Sequence, residues 1–125
     1  MQILSNEAPS ATPFPGIAHV TLAGSANGLR NLSVWHQAMD PGCATPPHRH
    51  DCEEVVLCTA GEGELRVDSR IERFSANTTI VIPSGVDHQI VSIGSEPLHT
   101  LAVLAASPVG VWLPDGVPVE LPWPT

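Results

Sequence analysis

Proline and glycine constrain the fold of this chain more than any other feature of its sequence. Thirteen prolines and ten glycines are spread over 125 residues. A proline inside a helix removes a backbone donor and clashes with the preceding turn, which costs about 3 kcal/mol. No stretch of the sequence carries the sustained 3.6-residue apolar period of an amphipathic helix. We therefore expect an all-β protein made of short strands joined by turns.

Strand-like segments follow one another at short intervals along the chain. Each is rich in β-branched or apolar residues and ends at turn-forming residues such as Gly, Pro, Asn, Asp or Ser. Gly61-Glu62-Gly63 separates two of these segments and predicts a tight hairpin between them. Strands this short, with turns every 8 to 12 residues or so, are typical of a sandwich or a barrel. The predicted strands cover residues 17–22, 29–39, 53–59, 64–68, 71–74, 78–82, 88–93 and 98–105.

The two ends of the chain have a different character from the strand-rich part. Residues 1–16 show no periodicity, and we interpret them as an irregular N-terminal arm. Residues 106–125 carry five prolines and two tryptophans, and this composition suggests an ordered tail that wraps the domain. A chain of this length has room for one full-sized core. We predict a single domain over residues 17–125, with the proline-rich tail as part of it.

The charge balance excludes several classes of function. The formal net charge is −8, all five basic residues are arginine, and the sequence has neither lysine nor tyrosine. An acidic surface repels phosphate backbones and anionic lipid, so we expect neither nucleic acid nor a membrane as a partner. Without lysine there is no Schiff-base chemistry on a lysine amine. Without tyrosine, no phenol acts as acid, base or nucleophile.

The cysteines and the N-terminus suggest an intracellular protein. Cys43, Cys52 and Cys58 cannot all pair within one chain, and none of them belongs to a CxxC motif, so we expect reduced thiols. The first seven residues contain no basic region and no apolar run of the kind found in secretory signals. We therefore expect a cytoplasmic location.

Most of the chemistry-bearing residues fall in two short segments. His48 and His50 stand two residues apart after Pro46-Pro47, and on an extended chain both imidazoles face the same side, about 6.6 Å apart. Two imidazoles in that arrangement can lean toward one metal ion at about 2.1 Å each. Glu54 has the same parity as His50 but would lie about 13 Å further on, unless the chain bends near Asp51-Cys52. His88 follows a Pro/Gly turn that can aim its ring.

The spacing of these residues resembles a known family. Gly42, His48-x-His50, Glu54 and Gly61 match the first motif of the cupin superfamily at every interval. The segment Pro83-x-Gly85-x-x-His88 matches the core of the second motif. The resemblance is closest to the small single-domain bacterial cupins. Two positions depart from the second motif: it usually opens with Gly, where this chain has Asn77, and it usually closes with Asn, where this chain has Ser92.

The resemblance implies a specific fold and cofactor. It implies a jelly-roll barrel, the double-stranded β-helix, with one divalent transition metal inside. The implied ligands are His48, His50, Glu54 and His88. Imidazole suits Fe, Ni, Cu and Zn, and the carboxylate also allows Mn. Three neutral imidazoles and one carboxylate leave one net positive charge on such a site. Because small cupins are commonly dimers, the resemblance also implies a homodimer formed through an exchanged or augmented edge strand.

Two classes of function are compatible with such a site. The first is a metal-dependent oxidoreductase, most simply a dioxygenase, that acts on a small neutral or aromatic substrate with Glu54 as the catalytic base. The second is a non-redox cupin, which is either an isomerase or lyase using the metal as a Lewis acid, or a binding module without turnover. For the first class we expect apolar residues to line the pocket, such as Val34, Val56, Ile80 and Ile90.

Several polar residues near the motifs could have further roles. Asp51, Asp87 and Gln89 flank the ligands and could accept a proton from an imidazole ring. His36 and His99 could line the barrel as acid or base, but a histidine at the edge of the core, held by one hydrogen bond, is the more common case. We expect Cys52 to pack against its surroundings, Glu53 to be solvated, and Arg49 to point away from the metal face. The three tryptophans are expected to anchor the core or the tail.

Overall fold

The structure is a computed structural model that describes residues 1–7, 9 and 11–125. The other two positions belong to the predicted arm and lie outside the described residues. In the described part the secondary structure is nine strands and one short 3₁₀ turn at Ser25–Asn27, which confirms the all-β prediction. The strands are β1 Thr12–Phe14, β2 Ile17–Ala23, β3 Ser33–Met39, β4 Glu54–Ala60, β5 Glu62–Val67, β6 Arg70–Ser75, β7 Thr78–Ile82, β8 Gln89–Ser92 and β9 Leu98–Leu104.

The strands form two antiparallel sheets that enclose the core of a jelly-roll barrel. The larger sheet has the order β1-β2-β3-β9-β4-β7 and the smaller sheet has the order β6-β5-β8. Alternate residues of each strand point inward, so Trp35, Val56 and Leu98 of the larger sheet are buried together with Phe74 and Ile90 of the smaller one. These inward residues hold the two sheets together, and the residues that precede β4 and β8 enter the space between them.

The predicted hairpin at Gly61-Glu62-Gly63 is wrong. Strand β4 pairs with β7 and β9, whereas β5 pairs with β6 and β8, so the chain changes sheets at Gly61 instead of folding back on itself. The reason is a close approach that sequence alone does not reveal. Gly61 has a φ of +87°, and a Cβ atom there would lie 2.5 Å from the carbonyl oxygen of Pro97.

Replacing Gly61 by Ala is therefore expected to destabilise the fold by roughly 2–4 kcal/mol. The left-handed backbone costs about 1–2 kcal/mol for a residue with a Cβ, and the collision with Pro97 adds a further cost of overpacking. Gly28 is a matched control, because its φ is +83° but nothing lies within 4 Å of an added Cβ. Urea unfolding of Gly61→Ala and Gly28→Ala measures how much free energy of unfolding each variant loses. Equal losses of unfolding free energy would contradict the close approach of Pro97 to Gly61.

The ends of the chain are more ordered than the sequence indicated. Strand β1 lies within the segment predicted as an irregular arm and pairs with β2, since Phe14 registers with Ile17. After β9, the tail lies along the segment before β4, where Arg49 and Trp112 exchange backbone hydrogen bonds of 2.9 and 3.0 Å. Strand β3 begins at Ser33, four residues later than predicted. Within the described residues, no helix has the length and apolar character needed to cross a membrane.

Candidate metal centre

Two segments bring three histidines together between the sheets. His48 and His50 lie just before β4, and His88 lies just before β8. The backbones of His48 and His88 pair directly, with N–H donors 3.0 and 2.8 Å from the opposite carbonyl oxygens. One ring nitrogen of each histidine lies within 4.8 Å of the corresponding atoms of the other two. A cluster of this size can hold a single metal ion.

Each imidazole is oriented by a backbone carbonyl. The Nδ1 atoms of His48, His50 and His88 lie 2.7, 2.8 and 2.9 Å from the carbonyl oxygens of Pro46, Gly110 and Val86. Because a carbonyl oxygen only accepts, Nδ1 must carry the proton in every case. In a neutral ring the Nε2 atom is then unprotonated and available as a ligand, and hydrogen bonds of this kind fix the tautomer of metal-binding histidines.

Asp51, Asp87 and Gln89, which were predicted to accept a proton from an imidazole ring, do not orient the rings in the structure. Asp87 forms an ion pair with Arg49 at 3.1 Å, and the Gln89 amide donates to the Thr45 carbonyl oxygen at 2.9 Å. Asp51 is exposed. The prediction for these three residues was wrong because the acceptors are backbone atoms. Arg49 does point away from the histidine cluster, as expected, and its guanidinium also donates to the Leu113 carbonyl oxygen.

The Glu54 carboxylate lies beside His50 and His88 because the chain bends before β4. Residues 51 and 52 form that bend. As a result, Glu54 Oε2 lies 3.5 Å from His50 Nε2 and 3.3 Å from His88 Nε2, instead of the 13 Å or so that a straight strand would give. The structure thus brings together all four residues that the cupin resemblance named.

The cluster is buried, and its ionisable groups shift one another's pKa values. His50, Glu54 and His88 are 4%, 6% and 2% exposed, and His48 is half-buried. Burial alone would raise the pKa of Glu54, but the neighbouring His88, His50 and His48 outweigh it, so the carboxyl pKa is lowered and the group is ionised. Burial lowers the pKa of His48 to about 4, with a further contribution from His88. Burial also disfavours the charged form of His88, but the Glu54 carboxylate outweighs it and raises that pKa.

The donor set fits a divalent transition metal. Among the described residues, Glu54 Oε2 and His88 Nε2 are both fully buried and make no hydrogen bond. Leaving a buried polar atom unsatisfied costs about 1–3 kcal/mol, and more when the group is charged. Imidazole nitrogen and carboxylate oxygen are ligands that Fe, Mn, Ni, Cu and Zn accept. An ion at the convergence point would satisfy both atoms at once.

An apolar cavity of about 110 Å³ opens onto this cluster. All four predicted ligand residues line it on one side, and Trp35 and Trp123 stand among its apolar walls. Trp123 comes from the tail and stacks on the buried ring of His19, with centroids 3.8 Å apart and planes 11° from parallel. Burial, with a smaller contribution from His36, lowers the pKa of His19 to about 4, so this stack holds a neutral ring at pH 7. The other apolar lining residues are Phe14, Ile17, Ile90, Ala102, Val111, Val119 and Leu121.

The lining predicted from sequence was mostly wrong. Ile90 lines the cavity, but Val56 and Ile80 pack in the core. Val34 faces outward, because the inward residues of β3 are Ser33, Trp35 and Met39. Residues 119–123 also line the cavity, and this was not predicted from the sequence. The two tryptophans in a proline-rich tail were the signal that the tail docks on the domain.

The other histidines lie away from the cluster. His36 and His99 pair with each other at 3.3 Å on the outer face of the larger sheet, so they do not line the barrel. Each ring is held by one hydrogen bond, as in the more common role expected for them, but the pair lies on the outer face of central strands and not at the edge of the core. Cys52 packs against the core, where burial raises its thiol pKa, and Glu53 is exposed. Both match expectation.

Comparison with known proteins assigns the chain to a family. The sequence profile described as "Auxin binding protein" matches residues 2–120. Auxin-binding protein 1 of Arabidopsis thaliana is 35% identical over 109 residues, which cover 79% of this chain and 55% of that protein. Acireductone dioxygenase of Yarrowia lipolytica is 26% identical over 101 residues, 77% of this chain and 53% of the enzyme. The chain therefore spans about half the length of these curated relatives.

A solved structure gives the same fold. A cupin 2 conserved barrel domain protein from Salinispora arenicola superposes with a TM-score of 0.70 at 21% identity, over 83% of this chain and 87% of that one. This likeness covers most of the chain and agrees with the cupin spacing of the two histidine segments. The chain belongs to the auxin-binding protein family, within the cupin superfamily.

Proposed function

We propose that the protein is a metal-dependent binding protein for a small aromatic carboxylate. One observation carries the proposal: a buried cluster of three histidines and one glutamate opens directly onto an apolar cavity that is walled by aromatic rings. In this proposal His48, His50, Glu54 and His88 hold one divalent transition metal. Glu54 Oε2 and His88 Nε2 have no hydrogen-bond partner among the described residues and are available for it, and the carbonyl contacts at Nδ1 leave Nε2 of His48 and His50 facing the same cluster.

The charge of the site favours one carboxylate. No arginine is among the residues that line the cavity in the described part of the chain. A divalent ion held by three neutral imidazoles and Glu54 would supply one net positive charge, which one carboxylate neutralises. The substrate expected from the sequence was neutral or aromatic, and the positive charge that a bound metal would supply favours an aromatic carboxylate instead of a neutral compound. Glu120, at the exposed rim of the cavity, disfavours ligands with a second negative charge.

The lining of the cavity favours an aromatic ligand. Its volume is about 110 Å³, less than the roughly 150 Å³ of an apolar cavity that admits benzene, so part of an aromatic ligand must extend through the open side of the cavity. Trp35 and Trp123 are in edge-to-face contact, at 77° with centroids 6.1 Å apart, so they form two adjoining walls of the cavity. Gln37 also lines the cavity and donates an amide hydrogen to His19 Nδ1 at 3.1 Å, which leaves its carbonyl oxygen free for a polar group on the ligand.

The family relationship supports the same class of ligand. Arabidopsis thaliana auxin-binding protein 1 is named for a ligand, and auxins are small aromatic carboxylates. Of the tail residues that line the cavity, Val111, Val119 and Glu120 lie inside the matched range, which ends at residue 120, and the last three lie beyond it. We carry the ligand class to this chain because the charge and the lining of the site point to it independently.

Calorimetric titration with indole-3-acetic acid and with its amide tests the proposal. On Zn²⁺-loaded protein we expect the acid to bind at least about tenfold more tightly than the amide, because a hydrogen-bonded charged group is worth about 1.5–3 kcal/mol. Quenching of Trp35 and Trp123 fluorescence should follow the same curve. Chelated protein should bind neither compound measurably. Equal affinity for acid and amide, or unchanged binding after chelation, would contradict the proposal.

A metal-dependent oxygenase is the second candidate, and the similarity to acireductone dioxygenase is the observation that favours it. In this case Glu54, which is ionised and buried beside the imidazoles, would act as the general base that takes a proton from the substrate. Oxygen uptake by Fe²⁺-loaded protein in the presence of the bound compound distinguishes the two functions. Intact ligand after incubation in air favours the binding protein, and consumption that stops under nitrogen favours the oxygenase.

A further inference from the structure

His48 and His50 belong to a short antiparallel ladder of three segments. His48 pairs with His88 on one side of the central segment. Arg49 pairs with Trp112 of the tail on the other side. This follows from strand geometry, because successive residues of a strand direct their backbone N–H and C=O groups to opposite sides. We refer to this arrangement as the histidine ladder, and its segments are residues 86–88, 48–50 and 110–112.

Both outer segments of the histidine ladder contribute to the metal centre. One of them supplies His88. The other supplies the carbonyl oxygen of Gly110, which lies 2.8 Å from His50 Nδ1 and orients that ring with Nε2 toward the cluster. A Cβ atom at Gly110 would collide with the indole of Trp112, so the position of this carbonyl depends on how Trp112 sits against the central segment. The spacing of the three segments therefore decides whether the imidazoles converge.

The side chain of Arg49 spans the back of the ladder. Since the histidines on either side of it face the cluster, Arg49 faces away from it. Its Nη1 atom donates to Asp87 Oδ1, 3.1 Å away, in the segment that carries the third histidine. The same atom donates to the carbonyl oxygens of Leu113 and Pro114, at 3.1 and 3.4 Å, just after the segment that carries Gly110. One guanidinium thus joins both outer segments across the central one.

This contact differs from the other ion pairs that arginine forms in the described part of the chain. Those pairs all lie within the hairpin of β5 and β6. Arg49 and Asp87, by contrast, are 38 residues apart in the sequence. The side chain of Arg70 is 78% exposed, whereas that of Arg49 is 28% exposed. Exposed pairs contribute little to stability, so the half-buried pair that joins distant segments is the one with a structural consequence.

We propose that Arg49 is a positioning residue of the metal centre. The proposal rests on the function proposed above, in which the cluster holds one divalent metal ion. Arg49 keeps the outer segments at a fixed spacing from the central one, so the imidazoles are ordered before an ion binds. Without the guanidinium, the Gly110 carbonyl oxygen can move away from His50 Nδ1, and the ring is then free to rotate or to change its tautomer.

The zinc affinity of Arg49→Gln tests the proposal. Loss of a hydrogen-bond partner of a metal ligand typically costs about 10–100-fold in affinity, and Arg49 acts through such a partner, the Gly110 carbonyl group. In competition with a chromophoric chelator at pH 7.5, we therefore expect Zn²⁺ to bind about tenfold more weakly to Arg49→Gln than to the wild type. Arg49→Lys should recover part of this loss, because its ammonium group carries three donors for the same acceptors.

Arg66→Gln is the matched control for the loss of an arginine. Arg66 also forms an ion pair, with Glu64 at 2.8 Å, but it lies in β5 of the smaller sheet and outside the histidine ladder. This variant should bind Zn²⁺ as tightly as the wild type. Gly28→Ala controls for a loss of stability, because its strain arises in a turn outside the ladder. It should be less stable than the wild type but keep the same zinc affinity.

The tautomer of His50 in the metal-free protein is a second readout, which a general loss of stability would not move. Long-range ¹H–¹⁵N NMR spectra distinguish a proton on Nδ1 from one on Nε2. In the wild type and in Gly28→Ala we expect the proton on Nδ1, held by the Gly110 carbonyl oxygen. In Arg49→Gln we expect a mixture of the two tautomers.

Two results would overturn the inference and leave the proposed function intact. The first is a zinc affinity of Arg49→Gln that equals that of Arg66→Gln. The second is an unchanged His50 tautomer in Arg49→Gln, which would mean that Arg49 does not act through Gly110. A wild type that binds no Zn²⁺ would overturn the proposed function together with this inference.

Discussion

His88→Ala is expected to weaken metal binding by more than about 100-fold while the barrel remains folded. Changing only a hydrogen-bond partner of a metal ligand typically costs 10–100-fold, so removing a ligand should cost more. His88 supplies a buried Nε2 that has no other partner among the described residues. Elemental analysis after dialysis against a weak chelator measures the loss, and circular dichroism monitors the fold.

Two further variants make this result interpretable. His48→Ala should lose the metal in the same way, and because His48 is less buried it leaves a smaller cavity in the fold. His36→Ala removes an imidazole of the outer face, far from the cluster, and should keep one ion per chain. If His88→Ala and His48→Ala retain full occupancy, or if His36→Ala loses the ion, the assignment of the ligands is wrong.

Metal removal is expected to lower the melting temperature by on the order of 10 °C. An ion that binds only the folded chain stabilises it by about 4 kcal/mol at a thousand times its dissociation constant. One kcal/mol shifts the melting temperature of a domain of this size by roughly 3–5 °C. In the metal-free protein the ionised Glu54 is held in a buried site with only neutral or partly protonated rings around it. Calorimetric scans with Zn²⁺ and with a chelator measure the difference.

The same scan on His88→Ala is the control for nonspecific effects of the ion. That variant should melt at the same temperature with and without added Zn²⁺. A wild type whose melting temperature does not respond to the metal would mean that the four side chains do not bind it tightly in the folded state.

The ligand residues could be predicted from sequence because their geometry is mostly local. His48 and His50 are two residues apart on an extended chain, and a bend at residues 51 and 52 is enough to bring Glu54 beside them. His88 needed the resemblance, since nothing local relates it to the first segment. The antiparallel pairing of His48 with His88 is the long-range contact that the shared motif encodes.

The surroundings of the site could not be predicted, because they depend on contacts between distant segments. The three carbonyl groups that orient the imidazoles belong to Pro46, Val86 and Gly110, and a carbonyl leaves no signature in the sequence. Trp123 reaches the cavity only because the tail folds back over β2 onto His19. Likewise, a Gly-x-Gly segment is typical of a hairpin, and only the approach of Pro97 reveals that Gly61 is a crossing between sheets.

A crystal structure of the protein grown with Zn²⁺ and indole-3-acetic acid, measured at the zinc absorption edge, tests the central claim most directly. The account predicts one anomalous peak per chain, about 2.1 Å from the Nε2 atoms of His48, His50 and His88 and in contact with Glu54. It also predicts ligand density in the cavity, packed against Trp35 and Trp123, with the carboxylate at the metal. A peak held by other residues, or a ligand bound outside this cavity, would contradict the account.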